Sequence, residues 1–185
     1  RTRAVAAMLL LMETYDVAVV GAGGAGMMCA LQAGRRGRRV VLLEHANIIG
    51  RKIRISGGGR CNFTNVGASP AQYVSSNPDF CRSALSRYTP EDFVELVHAH
   101  GIAFHEKTRG QLFCDVSAQQ IIDMLAEACR AAGAAILLNC QVHAIERAES
   151  GSFVVQTSRG AFSTGSLVIA TGGLSLPKIG ATDFG

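Results

Sequence analysis

An α/β fold wound around a parallel sheet is what this 185-residue sequence predicts, and three observations carry the prediction. TYDVAVV, residues 14–20, is a short apolar strand that runs straight into the glycine-rich turn from Gly21 to Gly26. GMMCALQAGRRG then repeats with helical period and stops at Gly37, a residue suited to the left-handed backbone at a helix end. RRVVLLE follows as a second apolar strand and ends on an acid, Glu44. Strand, turn, helix and strand in this length make one βαβ unit, whose two strands are parallel.

The remaining elements follow in order. Residues 46–74 show little periodicity and many Gly and Asn, which predicts a long ordered loop; such loops inside a domain are usually functional. The chain turns helical from Asp79. Thr89, Pro90, Glu91 and Asp92 supply an N-cap, a first-turn proline and acids for a helix ending at Gly101. IAFHE and QLFCD predict a hairpin around Lys107 to Gly110. Ser117 to Gln120 forms a capping box for the helix IIDMLAEACRAAG, closed by Gly133. Three strand signals come last: AILLNCQVHAI, FVVQTS and GSLVIAT. Turns at Glu149–Gly151 and Arg159–Gly160 separate them, as in a β-meander.

Composition narrows the class. The chain is 48% hydrophobic and 17% charged, values typical of a globular domain of this length. Its net charge of +4 is mild, and its one basic run, Arg35, Arg36, Arg38 and Arg39, falls at a helix C-terminus, where cations complement the dipole. That argues against a nucleic-acid partner. Six cysteines (Cys29, Cys61, Cys81, Cys114, Cys129, Cys140) include no CxxC pair and point to a reducing compartment, the cytoplasm. His98, His100 and His105 straddle a helix end and a strand start without a completing ligand, so no metal is expected. Arg1 to Met12 resembles a signal peptide only superficially. No small-residue cleavage site follows, and an apolar run this short cannot span a bilayer, so translated upstream sequence is the expectation and no membrane is implied.

The chemistry concentrates in the glycines. Gly21, Gly23 and Gly26 fit GxGxxG between a strand and a helix. The first allows the tight turn, the second lets a pyrophosphate approach the backbone, and the third lets helix and strand pack closely. Exposed N–H groups at the helix start near Ala25 would hold the pyrophosphate. Glu44, about twenty residues beyond, can accept the hydroxyl protons of an adenosine ribose and would repel a 2′-phosphate, which favours FAD or NAD over NADP. A second cluster, Ser56, Gly57, Gly58, Gly59, Arg60, Cys61 and Asn62, offers consecutive backbone amides. Arg51, Lys52 and Arg60 add cations that would favour a reduced flavin. Cys61 has no second cysteine nearby in sequence, so thiol–disulfide exchange through a local pair is not expected. No His–Asp/Glu dyad or serine nucleophile stands out and no catalytic residue is assigned, in keeping with chemistry borne by a cofactor.

GAGGAG, the strand-end acid, GRKIRISGGGRCNFTN and ATGGLSLPKIGATDFG together resemble the BaiN/YhiN-like flavoprotein family, which includes aminoacetone oxidase-like members. The resemblance covers residues 14–185, leaving 1–13 as an extension. It implies a Rossmann-type FAD-binding domain of glutathione-reductase type. It also implies that Arg51, Lys52 and Ser56 to Asn62 line the flavin, that Val142 touches adenine through its backbone, and that Ala170, Thr171, Gly172 and Gly173 form a second cofactor-contacting turn beside Gly21, Ala22, Gly23, Ala25 and Gly26. Relatives of this kind continue well past the position of Gly185 into an inserted substrate domain, so the chain is expected to be the N-terminal piece of such a protein. The implied activity is FAD-dependent hydride transfer to or from a small organic substrate, by C=C reduction or C–H oxidation, with NAD(P)H as candidate reductant. Alternatives are a small-amine oxidase using O₂, and a non-catalytic dinucleotide-binding or RNA-associated module.

Overall fold

The computed structural model describes residues 12–173, so the expectations for 1–11 and for LSLPKIGATDFG (174–185) lie outside the described residues. Two units are distinguished along this stretch: residues 12–51 with 125–173, and Lys52–Met124.

The first unit contains the predicted βαβ. Strand β1 (Glu13–Val20) leads through the glycine turn into helix α1 (Gly24–Arg35), and β2 (Val40–Leu43) pairs parallel to β1 with Val17 opposite Val40. Glu13, expected in the extension, already belongs to the sheet opposite Phe162. Strand β6 (Ala135–Leu137) adds parallel to β2, and β9 (Gly160–Ile169) adds parallel to the other side of β1. Strands β7 (Val142–Arg147) and β8 (Phe153–Thr157) continue antiparallel from β9 as the meander.

Strand β9 serves two sheets' worth of partners. Its first half pairs with β8 and its second half with β1 alone, while Phe162 to Thr164 pair with both. Because the meander diverges along this strand, its side chains cover one face of the parallel strands. Tyr15, Ala18, Val41 and Leu43 pack with Val142, Val155 and Phe162 in one cluster. On α1, Met27, Ala30 and Leu31 are buried, and the Cys129 thiol donates to the Met27 carbonyl at 3.1 Å. All four residues of β2 are therefore buried, which explains a run of VVLL rather than an alternating pattern. Each such side chain contributes about 1.5–3 kcal/mol on burial.

Two sequence expectations are corrected here. AILLNCQVHAI is not one strand but two, β6 and β7, broken at residues 138–141, where Asn139 takes a left-handed φ of 50° that asparagine tolerates better than most residues. The break frees the chain from β2 to enter the meander, although the apolar run is continuous in sequence. The last strand also starts at Gly160 rather than Gly165, because Phe162 and Thr164 are core positions.

Tyr15 provides a test of this core. Its hydroxyl donates to Glu13 Oε1 at 2.7 Å, and burial first, then this hydrogen bond, push the phenol up from 10 to about 12. The native state therefore keeps a proton that the unfolded chain gives up. The associated stability is fully present below pH 10 and is lost as pH climbs through 10 towards 12. Tyr15 should ionise late in an ultraviolet titration, and Tyr15→Phe should remove that late phase. A titration unchanged by Tyr15→Phe at high pH would contradict the packing.

The second unit holds what was expected to be a loop. Helix α2 (Arg51–Ile55) opens at the end of the first unit and runs into a 3₁₀ turn, Ser56–Gly59, followed by β3 (Asn62–Asn65) and a second 3₁₀ turn, Pro70–Gln72. Helices α3 (Arg82–Arg87) and α4 (Pro90–Ala99) come next, and the Thr89–Asp92 capping box forms as predicted. The hairpin β4 (Phe104–Glu106) and β5 (Gln111–Cys114) also forms, and β3 joins it antiparallel to β5. Phe63 on β3 meets Phe93 of α4 and Phe104 of β4 with ring centroids 6.0 and 5.4 Å apart. Helix α5 (Ala118–Ala131) carries the chain back into the first unit.

Candidate cofactor site

The glycine turn is built as its spacing requires. A Cβ on Gly26 would sit 1.8 Å from the Gly21 carbonyl oxygen, so no side chain fits beneath the first helical turn. Gly21 has φ +104°, and a Cβ there would lie 2.6 Å from the Ala170 carbonyl oxygen. Around Gly23, by contrast, a Cβ would meet nothing within 4 Å. Gly23 is the N-cap of α1, and that helix has no side-chain cap and no acid in its first turn. The first turn of α1 thus begins beside open space at Gly23, with no side-chain cap and no acid of its own, a fit for a pyrophosphate.

Glu44 closes one side of this turn. It is only 7% exposed, and its Oε2 accepts the Ala22 N–H at 2.9 Å. Oε1 accepts the Ala46 N–H at 2.9 Å and lies 3.0 Å from His45 Nδ1. A carboxylate has about four acceptor positions, so capacity remains for ribose hydroxyls after these three contacts. Ala22 also shapes the turn: its N–H goes to Glu44 and its carbonyl accepts the Gly50 N–H at 2.9 Å. The involvement of His45 and Ala46 was missed, and no local pattern marks it.

The ATGG turn meets this arrangement directly. Ala170 N–H donates to the Val20 carbonyl at 2.8 Å, extending the β1–β9 pairing to the edge of the first glycine turn. Gly172 has φ +76°, and a Cβ on Gly173 would meet nothing within 4 Å, so no packed side chain stands beside Gly173. Val142 lies close by along the chain. The Glu44 carbonyl accepts the Cys140 N–H at 2.9 Å, and Val142, 8% exposed, begins β7 two residues later. Gly21, Gly23, Gly26, Glu44, Val142 and Ala170 to Gly173 are therefore brought to one end of the parallel sheet, beyond the carboxyl ends of β1, β2 and β9, where open α/β sheets hold their ligands.

In the second unit, Gly57, Gly58 and Gly59 carry φ values of 58°, 67° and 88°, three successive left-handed residues that only glycine adopts without strain. The Ser56 hydroxyl donates to the Ile53 carbonyl at 2.8 Å, and Ser56 accepts the Cys61 N–H at 3.0 Å. A Cβ on Gly57 would strike Phe113 at 2.7 Å, whereas Gly58 and Gly59 are open on the corresponding side. Arg60 and Lys52 are exposed, and Arg51 opens α2 at the end of the first unit.

Two juxtapositions in this unit were not seen in the sequence. Cys61, itself at φ 52°, stands where β3 meets β5, and the Cys114 N–H donates to the Arg60 carbonyl at 2.9 Å. Both thiols are free and buried. Burial pushes Cys61 upward, while burial and then the neighbouring Cys61 push Cys114 up to about 11. Two protonated, enclosed thiols are poor nucleophiles, so the pair packs rather than reacts. The second is His105, whose Nδ1 lies 2.6 Å from Asp115 Oδ1, with its ring stacked on Phe113 at 6.3 Å. Counting outward from the predicted hairpin turn sets His105 opposite Phe113 and diagonal to Asp115, which is the signal that could have found the pair.

Known proteins resemble this chain over most of its length. The chain is 51% identical over 174 residues to a ribosomal RNA dihydrouridine synthase of Escherichia coli (strain K12), covering 94% of this chain and 43% of that protein. It is 27% identical to a 3-dehydro-bile acid delta(4,6)-reductase of Clostridium scindens, over 91% of this chain and 42% of the other. The chain thus spans less than half the length of these curated relatives. Among solved structures, glycine oxidase from Geobacillus kaustophilus superposes with a TM-score of 0.62 at 22% identity, covering 86% of this chain and 55% of that one. A 3-ketosteroid-delta4-(5alpha)-dehydrogenase from Rhodococcus jostii gives 0.63 at 16%, covering 87% and 46%. These two likenesses show the fold, a Rossmann-type FAD-binding α/β domain with a mixed sheet. A family model described as the HI0933-like protein Rossmann domain matches residues 15–185, and the chain belongs to that family, the BaiN/YhiN-like flavoproteins.

Proposed function

We propose that this chain is the FAD-holding part of a reductase that saturates the C5=C6 bond of uridine in ribosomal RNA. The observation that carries the reading is the 51% identity, over nearly the whole chain, to a protein named as a ribosomal RNA dihydrouridine synthase. A second protein of that name, from Haemophilus influenzae, is 48% identical over 170 residues. The bile acid relative is named as a reductase as well, which favours the C=C reduction expected from the sequence over C–H oxidation. The likeness to glycine oxidase concerns the fold alone and does not favour an amine oxidase. An RNA substrate replaces the small-molecule partner, and the exclusion of nucleic acid, inferred from net charge.

FAD, when bound, supplies two-electron hydride chemistry, with NAD(P)H as the proposed source of electrons. The chain's own residues hold and orient it. The opening N–H groups of α1 bind the pyrophosphate, Glu44 fixes the ribose, and the backbone at Val142 borders adenine. Gly172 and Gly173 let the dinucleotide lie against the main chain. In the second unit we assign Ser56 to Asn62, with Arg51 and Lys52, to the flavin end.

The test uses the protein loaded with FAD, supplied with NADPH or NADH, and given ribosomal RNA that lacks dihydrouridine. Nucleoside mass spectrometry should find dihydrouridine at a discrete position. A flavin-loaded protein that oxidises the nicotinamide with another acceptor but leaves this RNA unchanged would overturn the substrate. A colourless protein that takes up no added FAD would overturn the cofactor assignment.

A further inference from the structure

The four arginines at the end of α1 fall into two groups. Arg39 is fully engaged: its Nη2 binds Glu13 Oε1 at 3.0 Å, its guanidinium lies 4.8 Å from the Tyr15 ring centroid, and its N–H donates to Asp16 Oδ2. Arg36 reaches only the neutral Gln32 carbonyl, at 3.2 Å. Arg35 and Arg38 have no acidic partner among the described residues. All four positions are exposed.

The helix end does not require these side chains. Its last carbonyls are met by backbone, since Arg36 and Arg38 N–H donate to Ala33 and Gly37 N–H to Gly34. Complementing the dipole accounts for a cation in the last turn only, and Arg38 lies beyond Gly37, outside the helix. Three guanidinium charges thus stand together without compensation on a chain whose whole net charge is +4.

Their position separates them from the cofactor. They sit where β2 begins, whereas the pyrophosphate turn lies at the other end of α1, a length of about 18 Å for its twelve residues. The arginines therefore belong to a ligand other than the cofactor, and three adjacent cations call for an anion with several charges. Guanidinium forks suit phosphate oxygens geometrically as well as by charge.

We propose that Arg35, Arg36 and Arg38 grip the phosphate backbone of structured RNA, at the end of α1 away from the pyrophosphate turn. The inference rests on the RNA reading above and gives it a consequence: the enzyme should distinguish a long folded RNA from a short oligonucleotide carrying the same uridine.

The experiment compares the FAD-loaded parent protein with the variant R35Q/R36Q/R38Q, using ribosomal RNA and a short single-stranded oligonucleotide. Glutamine keeps helix propensity, so melting temperature and flavin absorbance should match the parent. For ribosomal RNA, the slope of log affinity against log salt should shrink by about 2 to 3, and affinity at physiological salt should fall roughly 10- to 100-fold. KM for that RNA should rise while kcat holds, and turnover of the oligonucleotide should not change. A variant matching the parent in slope and affinity on ribosomal RNA overturns the inference. If the parent still makes dihydrouridine in that case, the functional reading survives. Equal losses on long and short RNA also overturn it, because the contact would then not need a long folded backbone. Parent protein that binds anionic lipid vesicles through these arginines, and no RNA, overturns both.

Discussion

Gly26→Ala should leave no FAD-loaded protein. The added methyl would lie 1.8 Å from the Gly21 carbonyl oxygen, a main-chain atom that cannot swing aside. Relief requires α1 to lift from β1, which loosens Met27 and Leu31 from the core. Overpacking of this kind costs about 3 kcal/mol or more, a large share of the stability of a domain this size. The control is Gly23→Ala, where the methyl meets nothing within 4 Å. Its melting temperature should stay within a few degrees of the parent. It should nonetheless lose flavin, because the methyl occupies the space a pyrophosphate needs. Two single methyls three residues apart thus separate folding from binding. Equal melting temperatures for both variants would refute the assignment of the third glycine, and full flavin in Gly23→Ala would refute that of the second.

Glu44→Ala should be nearly as severe, for a different reason. It strips the acceptor from the Ala22 and Ala46 N–H groups, and a buried donor left unpaired costs about 1–3 kcal/mol. Glu44→Gln is the sharper probe of recognition. One oxygen becomes an amide NH₂ that must point at a backbone N–H, and the charge that strengthens a bond to a ribose hydroxyl is gone. Affinity for FAD, followed by fluorescence quenching, should fall about 10- to 100-fold, with a smaller loss of stability than in Glu44→Ala. A Gln variant that binds FAD as tightly as the parent would remove Glu44 from the ribose.

What the sequence disclosed depended on how far apart the interacting residues lie. The βαβ unit, the Thr89 cap, the hairpin and the ends of helices at Gly37, Gly101 and Gly133 are local, and each was legible from neighbours a few positions away. Strand β3 was not, because NFTN has no strand pattern of its own and exists by pairing with β5 some fifty residues on. The split between β6 and β7 was hidden inside one apolar run, since a left-handed asparagine leaves no trace in hydrophobicity. In the site, the glycines were readable because their spacing is itself the constraint. Hydrogen bonding of Glu44 to Ala22 and Ala46 was not readable, and neither were the His105–Asp115 and Cys61–Cys114 neighbours, which depend on strand register.

Strand β9 also governs when the protein can begin to work. β1 is made well over a hundred residues ahead of β9, yet one of its two pairing edges and the floor of its glycine turn come from residues 160–170. At about 5–20 residues per second, β1 emerges many seconds before that partner exists, and its edge stays unpaired until then. The pyrophosphate turn is likewise unfinished until Ala170 arrives against Gly21. Cofactor loading at this turn therefore waits for Ala170, however much earlier the glycine motif itself is made.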